Sequence, residues 1–93
     1  MDLLEGDVML LFKSRFPRQM INEIKWKGFD LSRCKIHYEN RGAHNDVSIV
    51  TGDEIRNIDS MFLILEGDPW EKYIPYHRIF KIEYDNEIVF EHY

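Results

Sequence analysis

The sequence predicts an α+β domain in which one or two N-terminal helices pack on a mostly antiparallel sheet of five to six strands, open or closed as a barrel. Two patterns predict this class: apolar residues recur with a helical period before residue 33 and alternate as in a strand after it. The length of 93 residues allows one core, and no Pro-, Gly- or Ser-rich stretch could act as a linker. We therefore interpret residues 1–93 as a single domain.

The helical part of the chain comes first. Residues 8–12 fit one face of a helix and, equally, a short buried strand. Phe16 ends that element, because the residue before a proline avoids the α region, and Pro17 suits the first turn of a new helix. Gly28 is a natural C-cap, so a helix is predicted over residues 17–27. The apolar residues with a 3.6-residue period in this helix are Met20, Ile21 and Ile24.

Strand-like segments follow residue 33. Residues 34–39 alternate between apolar and polar side chains, and residues 47–50 are a short run rich in β-branched residues. Residues 61–65 are a continuous apolar run typical of a central strand, whereas residues 73–75 end in a proline that suits a sheet edge. The hairpin over residues 79–90 is the clearest, because an Asp-Asn pair separates its two apolar-rich halves.

The charge of the chain argues against one class of partner. Twelve Lys and Arg residues face 17 Asp and Glu residues, which gives a net charge of −5. This balance does not favour a positive coat that grips duplex nucleic acid through its backbone. The charges are uneven, however: residues 13–41 carry a balance of +5 and residues 42–93 a balance of −7.

Several other classes are excluded by simple counts. The longest apolar runs have five residues, against the roughly 20 that a membrane helix needs. Acidic residues occupy the start of the chain, where an export signal carries positive charge, so a cytoplasmic location is expected. A lone Cys34 forms no internal disulfide and fits a buried apolar position. With one Cys and four scattered His, the sequence predicts neither a metal site nor a cofactor.

Two segments carry residue types that could bind an anion, although no familiar catalytic or nucleotide motif is present. In residues 40–44, Gly42 allows backbone N–H groups to converge, Arg41 adds a fork of donors and His44 a titratable donor. In residues 74–79, a proline is followed by a Tyr-His-Arg triplet. If residues 78–84 form a strand, Arg78 shares a face with Phe80. The simpler interpretation of both segments is an ordinary polar turn with hydrogen-bonded or ion-paired side chains.

The combination of these segments resembles one protein family. The order Ile24-Lys25-Trp26, then Tyr38-x-x-Arg41-Gly42-Ala43, then Ile74-Pro75-Tyr76-His77-Arg78-Ile79 is similar to the RNA cyclic group end recognition domain family, which is uncharacterised and chiefly archaeal. The resemblance covers about residues 18–90 and leaves residues 1–16 as a variable segment. Family members commonly carry His or Asp before the Arg-Gly pair and Pro after the Ala, where this chain has Asn40 and His44.

The resemblance implies a small module that recognises RNA 3′ ends carrying a cyclic phosphate, or another phosphate ligand, beside RNA-processing enzymes. Such a site needs a bidentate cation, a few donors and an aromatic platform. Trp26 and Trp70 could stack a base, although the simpler interpretation places each in or beside the core. The candidate ligand-binding residues are Arg41, Gly42, His44, Tyr76, His77 and Arg78.

Two other hypotheses stay open. A cyclic phosphodiesterase of the two-histidine class needs two His-x-Ser/Thr motifs, which the sequence lacks, so only a looser pairing of His44 with His77 would serve. A structural or protein-interaction module would instead use the apolar hairpin over residues 79–90, whose edge could pair with a second copy or another domain. The sequence does not indicate an oligomeric state.

Overall fold

The computed structural model describes residues 12–92, and in this part of the chain one helix precedes seven strands. The helix, α1, spans Pro17–Trp26. The strands are β1 (Cys34–Glu39), β2 (Val47–Thr51), β3 (Ile55–Ile58), β4 (Phe62–Leu65), β5 (Lys72–Pro75), β6 (Ile79–Tyr84) and β7 (Glu87–Glu91). Short 3-10 turns lie at Leu31–Arg33, His44–Asp46, Gly52–Glu54 and Tyr76–Arg78.

The strands form two antiparallel sheets. The larger sheet has the order β2-β1-β6-β7, and the smaller has the order β3-β4-β5. The α+β class is confirmed, but the prediction of one sheet with five to six strands is wrong in strand count, and within residues 12–92 the sheets do not close into a barrel. The chain leaves the larger sheet after β2, builds the smaller one, and returns at β6, which pairs with β1. The 3-10 turns at Gly52–Glu54 and Tyr76–Arg78 redirect it at these two crossings.

Helix α1 starts at the predicted residue and ends at Trp26, one residue before the predicted end. Pro17 occupies the first turn, where a missing backbone N–H leaves no hydrogen bond unmade. Lys27 is the C-cap, and Gly28 follows with a φ of +80°, which glycine adopts without strain. The buried side chains of α1 are Met20, Ile21 and Ile24. Each such side chain contributes roughly 1.5–3 kcal/mol through burial, and this apolar face holds the helix to the sheets.

Most predicted strands are confirmed. β4 lies in the middle of the smaller sheet, as its continuous apolar run indicates, and Pro75 ends an edge strand. β6 and β7 form the predicted hairpin, and both turn residues, Asp85 and Asn86, have positive φ, as a type I′ turn requires. Cys34 is fully buried, and burial raises the pKa of its thiol to about 12. Cys34 is therefore a small apolar core residue, as expected.

A close backbone approach joins the turns on one side of the larger sheet. A Cβ atom added at Gly52 would lie 2.1 Å from the carbonyl oxygen of Leu31, so only glycine fits there. The Gly52–Glu54 turn can thus lie directly on the Leu31–Arg33 turn. This contact fixes the point at which the chain leaves the larger sheet.

The predicted element at residues 8–12 lies outside the described residues, apart from Phe12. Phe12 is buried against the ring of Phe29, with centroids 5.2 Å apart. Within residues 12–92, α1 is too short and too polar to cross a bilayer.

Candidate functional site

The loop that joins β1 to β2 is closed by its own hydrogen bonds. The backbone N–H of Asn40 donates to the carbonyl of Asp46 at 2.8 Å, and that of Ala43 donates to the carbonyl of Asn40 at 3.1 Å. Gly42 has a φ of +95°, which favours glycine, and its N–H donates to the Asp46 carboxylate at 3.2 Å. That carboxylate therefore takes up one of the donors that the sequence suggests for a ligand.

The turn between the two sheets is built around Tyr76. Its hydroxyl lies 2.6 Å from the carbonyl oxygen of Asp59, in the connection from β3 to β4, and 3.0 Å from that of Phe62, the first residue of β4. Burial raises the pKa of Tyr76, as expected of a hydroxyl withdrawn from water. The residue thus anchors the turn, while His77 and Arg78 are exposed.

The strand predicted from residue 78 begins one residue later. Arg78 belongs to the 3-10 turn at Tyr76–Arg78, and β6 starts at Ile79. The expectation that Arg78 shares a strand face with Phe80 is therefore wrong. The turn has helical rather than extended geometry, so the alternation of side chains begins only at Ile79.

The two segments meet at a cleft of about 800 Å³, which lies at one end of the larger sheet. The connection from β1 to β2 forms one wall, the turn before β6 another, and the residue after β7 a third. Phe80 and Val47 supply its apolar part, with Phe80 6.1 Å from the His37 ring between centroids. The polar residues that line the cleft are Glu39, Arg41, Asn45, Asp46, His77 and His92.

The cleft includes some of the predicted site residues. Arg41 and His77 line it together, although they are far apart in the sequence. Arg78 lines a neighbouring depression instead. Gly42, His44 and Tyr76 do not line the cleft, although Gly42 and His44 belong to its wall-forming loop.

The two tryptophans lie in other places. Trp26 is 86% exposed at the end of α1, and Trp70 is 80% exposed between β4 and β5. Their expected position in or beside the core is therefore wrong. Trp26 is the last residue of α1 and Trp70 lies in a loop, and both side chains face water. Neither lines the cleft.

The cleft also contains residues that the sequence did not suggest. His92 lies beside Phe80 because its backbone N–H donates to the carbonyl of Phe80 at 2.8 Å. This pairing depends on a β-bulge: Glu83 pairs with Ile88, but Ile82 pairs with Phe90. A regular two-residue hairpin would place His92 opposite Ile79. The hairpin pattern could have placed His92 near the start of β6, but not opposite Phe80.

The charge of the cleft is finely balanced. Arg41 opposes two carboxylates, Glu39 and Asp46, and the imidazoles of His77 and His92 add hydrogen-bonding groups to the lining. Arg41 takes part in no ion pair within residues 12–92, which leaves its guanidinium available to a ligand. This arrangement suits a singly charged ligand better than a dense polyanion.

A hydrogen-bonded histidine–glutamate pair lies next to the cleft on the outer face of the larger sheet. His37 on β1 and Glu83 on β6 are 2.7 Å apart between Nε2 and Oε2, and both are largely buried. This hydrogen bond holds the imidazole of His37 against the ring of Phe80, which is part of the apolar lining of the cleft. Among the described residues, no group of three or more His, Cys, Asp or Glu could hold a metal ion.

A family model described as the MJ1316 RNA cyclic group end recognition domain matches residues 15–92. A UPF0248 protein of Archaeoglobus fulgidus is 36% identical over 70 residues, which cover 74% of this chain and 94% of that protein. UPF0248 proteins of Pyrobaculum aerophilum and Pyrobaculum calidifontis are 29% and 31% identical, and the matches cover 87% and 80% of their lengths. No solved structure matches the chain.

Proposed function

The chain belongs to the MJ1316 RNA cyclic group end recognition domain family, and from that premise we propose that it binds RNA 3′ ends carrying a cyclic phosphate, without catalysis. The observation that carries the proposal is the cleft that Arg41, His77 and His92 line together beside Phe80. A volume of about 800 Å³ lies within the range of small-ligand sites.

The chemistry of the ligand matches the residues of the cleft. A cyclic phosphate is a compact monoanion with two non-bridging oxygens, which an arginine fork can bind through two parallel hydrogen bonds. Imidazole N–H groups can donate to the same oxygens or to ribose. The carboxylates of Glu39 and Asp46 disfavour a dianion, such as a linear terminal phosphate, more than a monoanion. The cleft should therefore prefer the cyclic end.

A titration with an RNA trinucleotide tests this proposal, with its 3′ end as a 2′,3′-cyclic phosphate, a linear phosphate or a hydroxyl. The cyclic form should bind tightest and shift the amide NMR signals of the 40–46 loop and of residues 76–80. Arg41→Ala should weaken binding about 10- to 100-fold, since a hydrogen bond to a charged group contributes about 1.5–3 kcal/mol.

The matched control is Arg56→Ala, which removes an exposed arginine of β3 whose Nε lies 4.0 Å from Glu66. This control should bind like the unchanged chain. Unmoved amide signals, or equal affinities of the Arg41 and Arg56 variants, would contradict the proposal.

Catalysis is the first competing function, and the observation in its favour is that His77 and His92 line the same cleft. One imidazole could activate water while the other protonates the leaving ribose oxygen. His44, which the sequence suggests as the partner of His77, does not line the cleft. A turnover assay on the cyclic trinucleotide decides the matter: hydrolysis lost in both His77→Ala and His92→Ala would replace the binding proposal with an enzyme.

A protein-interaction module is the second competing function. Several large apolar side chains are more than half exposed, and a contiguous patch of such side chains is typical of a protein–protein interface. The exposed side chains are Phe16, Trp26, Ile49, Met61, Trp70 and Tyr73. The molecular mass in solution tests this alternative, because an obligate dimer that buries Arg41 would contradict the RNA-end proposal.

A further inference from the structure

A second depression lies beside the cleft and has a volume of about 320 Å³. The end of β1, strand β5 and the turn before β6 line it. The residues that give it its chemistry are Glu39, Asn40, Lys72, Tyr73 and Arg78. Two cations therefore face one carboxylate, which makes this lining more positive than that of the larger cleft.

The two cavities are immediate neighbours. Both are lined by Glu39, and from there the chain contributes Asn40 to the depression and Arg41 to the cleft. The other wall repeats this division, with His77 in the cleft and Arg78 in the depression. Consecutive Cα atoms are about 3.8 Å apart, so on each wall a single step of the chain separates a residue of the cleft from a residue of the depression.

The cations of the depression are available to a ligand. Lys72 and Arg78 are both exposed, and within residues 12–92 neither takes part in an ion pair. An ammonium and a guanidinium that share one concavity repel each other, and a bound phosphate would relieve that repulsion.

The aromatic side chain of the depression is held in place. Tyr73 is 56% exposed, and its ring packs edge-on against Phe62 with 6.1 Å between centroids. A single-stranded RNA site combines cations that follow the backbone with an aromatic ring on which a base stacks. The lining of the depression supplies both parts and contains one carboxylate, Glu39, while a Glu71 carboxylate oxygen lies 3.4 Å from the Tyr73 hydroxyl.

We propose that this depression is a second nucleotide subsite, which binds the phosphodiester and base that precede the RNA end. The inference rests on the proposed function: with the terminal phosphate in the larger cleft, a preceding nucleotide that crosses Glu39 and Asn40 reaches the depression. Lys72 and Arg78 bind the phosphodiester, and Tyr73 stacks the base.

Two probes separate the subsite from the cleft: uridine 2′,3′-cyclic monophosphate, and a UUU trinucleotide ending in the same cyclic phosphate. The unchanged chain should bind the trinucleotide at least about tenfold more tightly than the mononucleotide. The double variant Lys72→Ala/Arg78→Ala should lose most of that gain and bind the mononucleotide within twofold of the unchanged chain. Tyr73→Leu should weaken only trinucleotide binding, about fivefold or more, because stacking contributes 1–3 kcal/mol per base.

The control is Lys25→Ala/Arg56→Ala, which removes the same charges from α1 and β3. It should keep both affinities. Equal affinity of the unchanged chain for both probes, or an equal loss for both probes in the Lys72/Arg78 variant, would overturn the subsite and leave the terminal cleft standing. If neither probe binds, the proposed function fails as well.

Discussion

At the scale of single residues, the hydroxyl of Tyr76 links the turn before β6 to the connection between β3 and β4. Tyr76→Phe removes this hydrogen bond and should lower the free energy of unfolding by about 1 kcal/mol, the usual net value of such a bond. The loss should not be larger, because Arg18 Nε still donates to the Asp59 carbonyl at 3.1 Å. Urea unfolding measures the change.

Tyr73→Phe is the matched control, since its exposed hydroxyl lies 3.4 Å from a Glu71 carboxylate oxygen and contributes little. Binding of the cyclic trinucleotide to Tyr76→Phe should stay within twofold of the unchanged chain. A variant with full stability and lost binding would show that Tyr76 contacts the ligand rather than the backbone.

Two of the predicted site residues line the cleft. Arg41 and His77 were singled out by residue type, and the fold brings both to the cleft. Asp46 could not be recognised in the same way. It closes the loop between β1 and β2 through its positive φ and through the hydrogen bond that its carboxylate accepts from the Gly42 N–H. Residue type predicts which chemistry is available, whereas the direction of a side chain depends on turn geometry.

At the scale of elements, Glu23 attaches the segment before α1 to the helix. Its carboxylate accepts hydrogen bonds from the backbone N–H of Lys13 and from the N–H and hydroxyl of Ser14, and it pairs with Lys27 at 2.8 Å. Burial alone would raise the pKa of Glu23, but these donors outweigh it and lower the pKa from 4.5 to about 2. The ionised form is therefore favoured in the folded state.

The lowered pKa of Glu23 predicts how stability depends on pH. A carboxyl group with a lower pKa when folded stabilises the fold above its unfolded value of 4.5, and this stabilisation is lost as the pH falls toward 2. The urea midpoint of the unchanged chain should fall more steeply over that range than the midpoint of Glu23→Gln. Glu87→Gln should fall like the unchanged chain, since Glu87 has no ion pair among the described residues. Parallel curves for all three chains would contradict the assignment.

The strand that the sequence did not predict is β3. Its four residues read Ile-Arg-Asn-Ile, so two polar residues stand between the apolar ones and the alternation that identifies a strand is absent. β1 was predicted because its buried residues alternate without interruption. The alternation of apolar and polar residues also could not predict the division into two sheets, because it identifies strands but not which strands pair with each other.

At the scale of the whole molecule, the fold redistributes the charge that the sequence segregates. Arg41 ends the basic stretch and Arg78 lies within the acidic one, yet they line adjacent cavities that share Glu39. The division into a +5 and a −7 segment therefore does not mark the candidate site. The net charge of −5 instead limits binding to a few local contacts, since a long polyanion would be repelled by most of the surface.

The salt dependence of RNA binding tests this local-contact picture. For single strands, the slope of log K against log salt is about −0.7 for each phosphate that the protein neutralises. The uridine cyclic monophosphate carries too little charge to condense counterions and should give a slope shallower than about −0.7, and the UUU cyclic phosphate should give a steeper slope, up to about −1.4, if its penultimate phosphate reaches Lys72 and Arg78. Lys72→Ala/Arg78→Ala should return the second slope to the first. A slope of about −3 or steeper would require more contacts than the two cavities supply, and RNA would then follow another part of the surface.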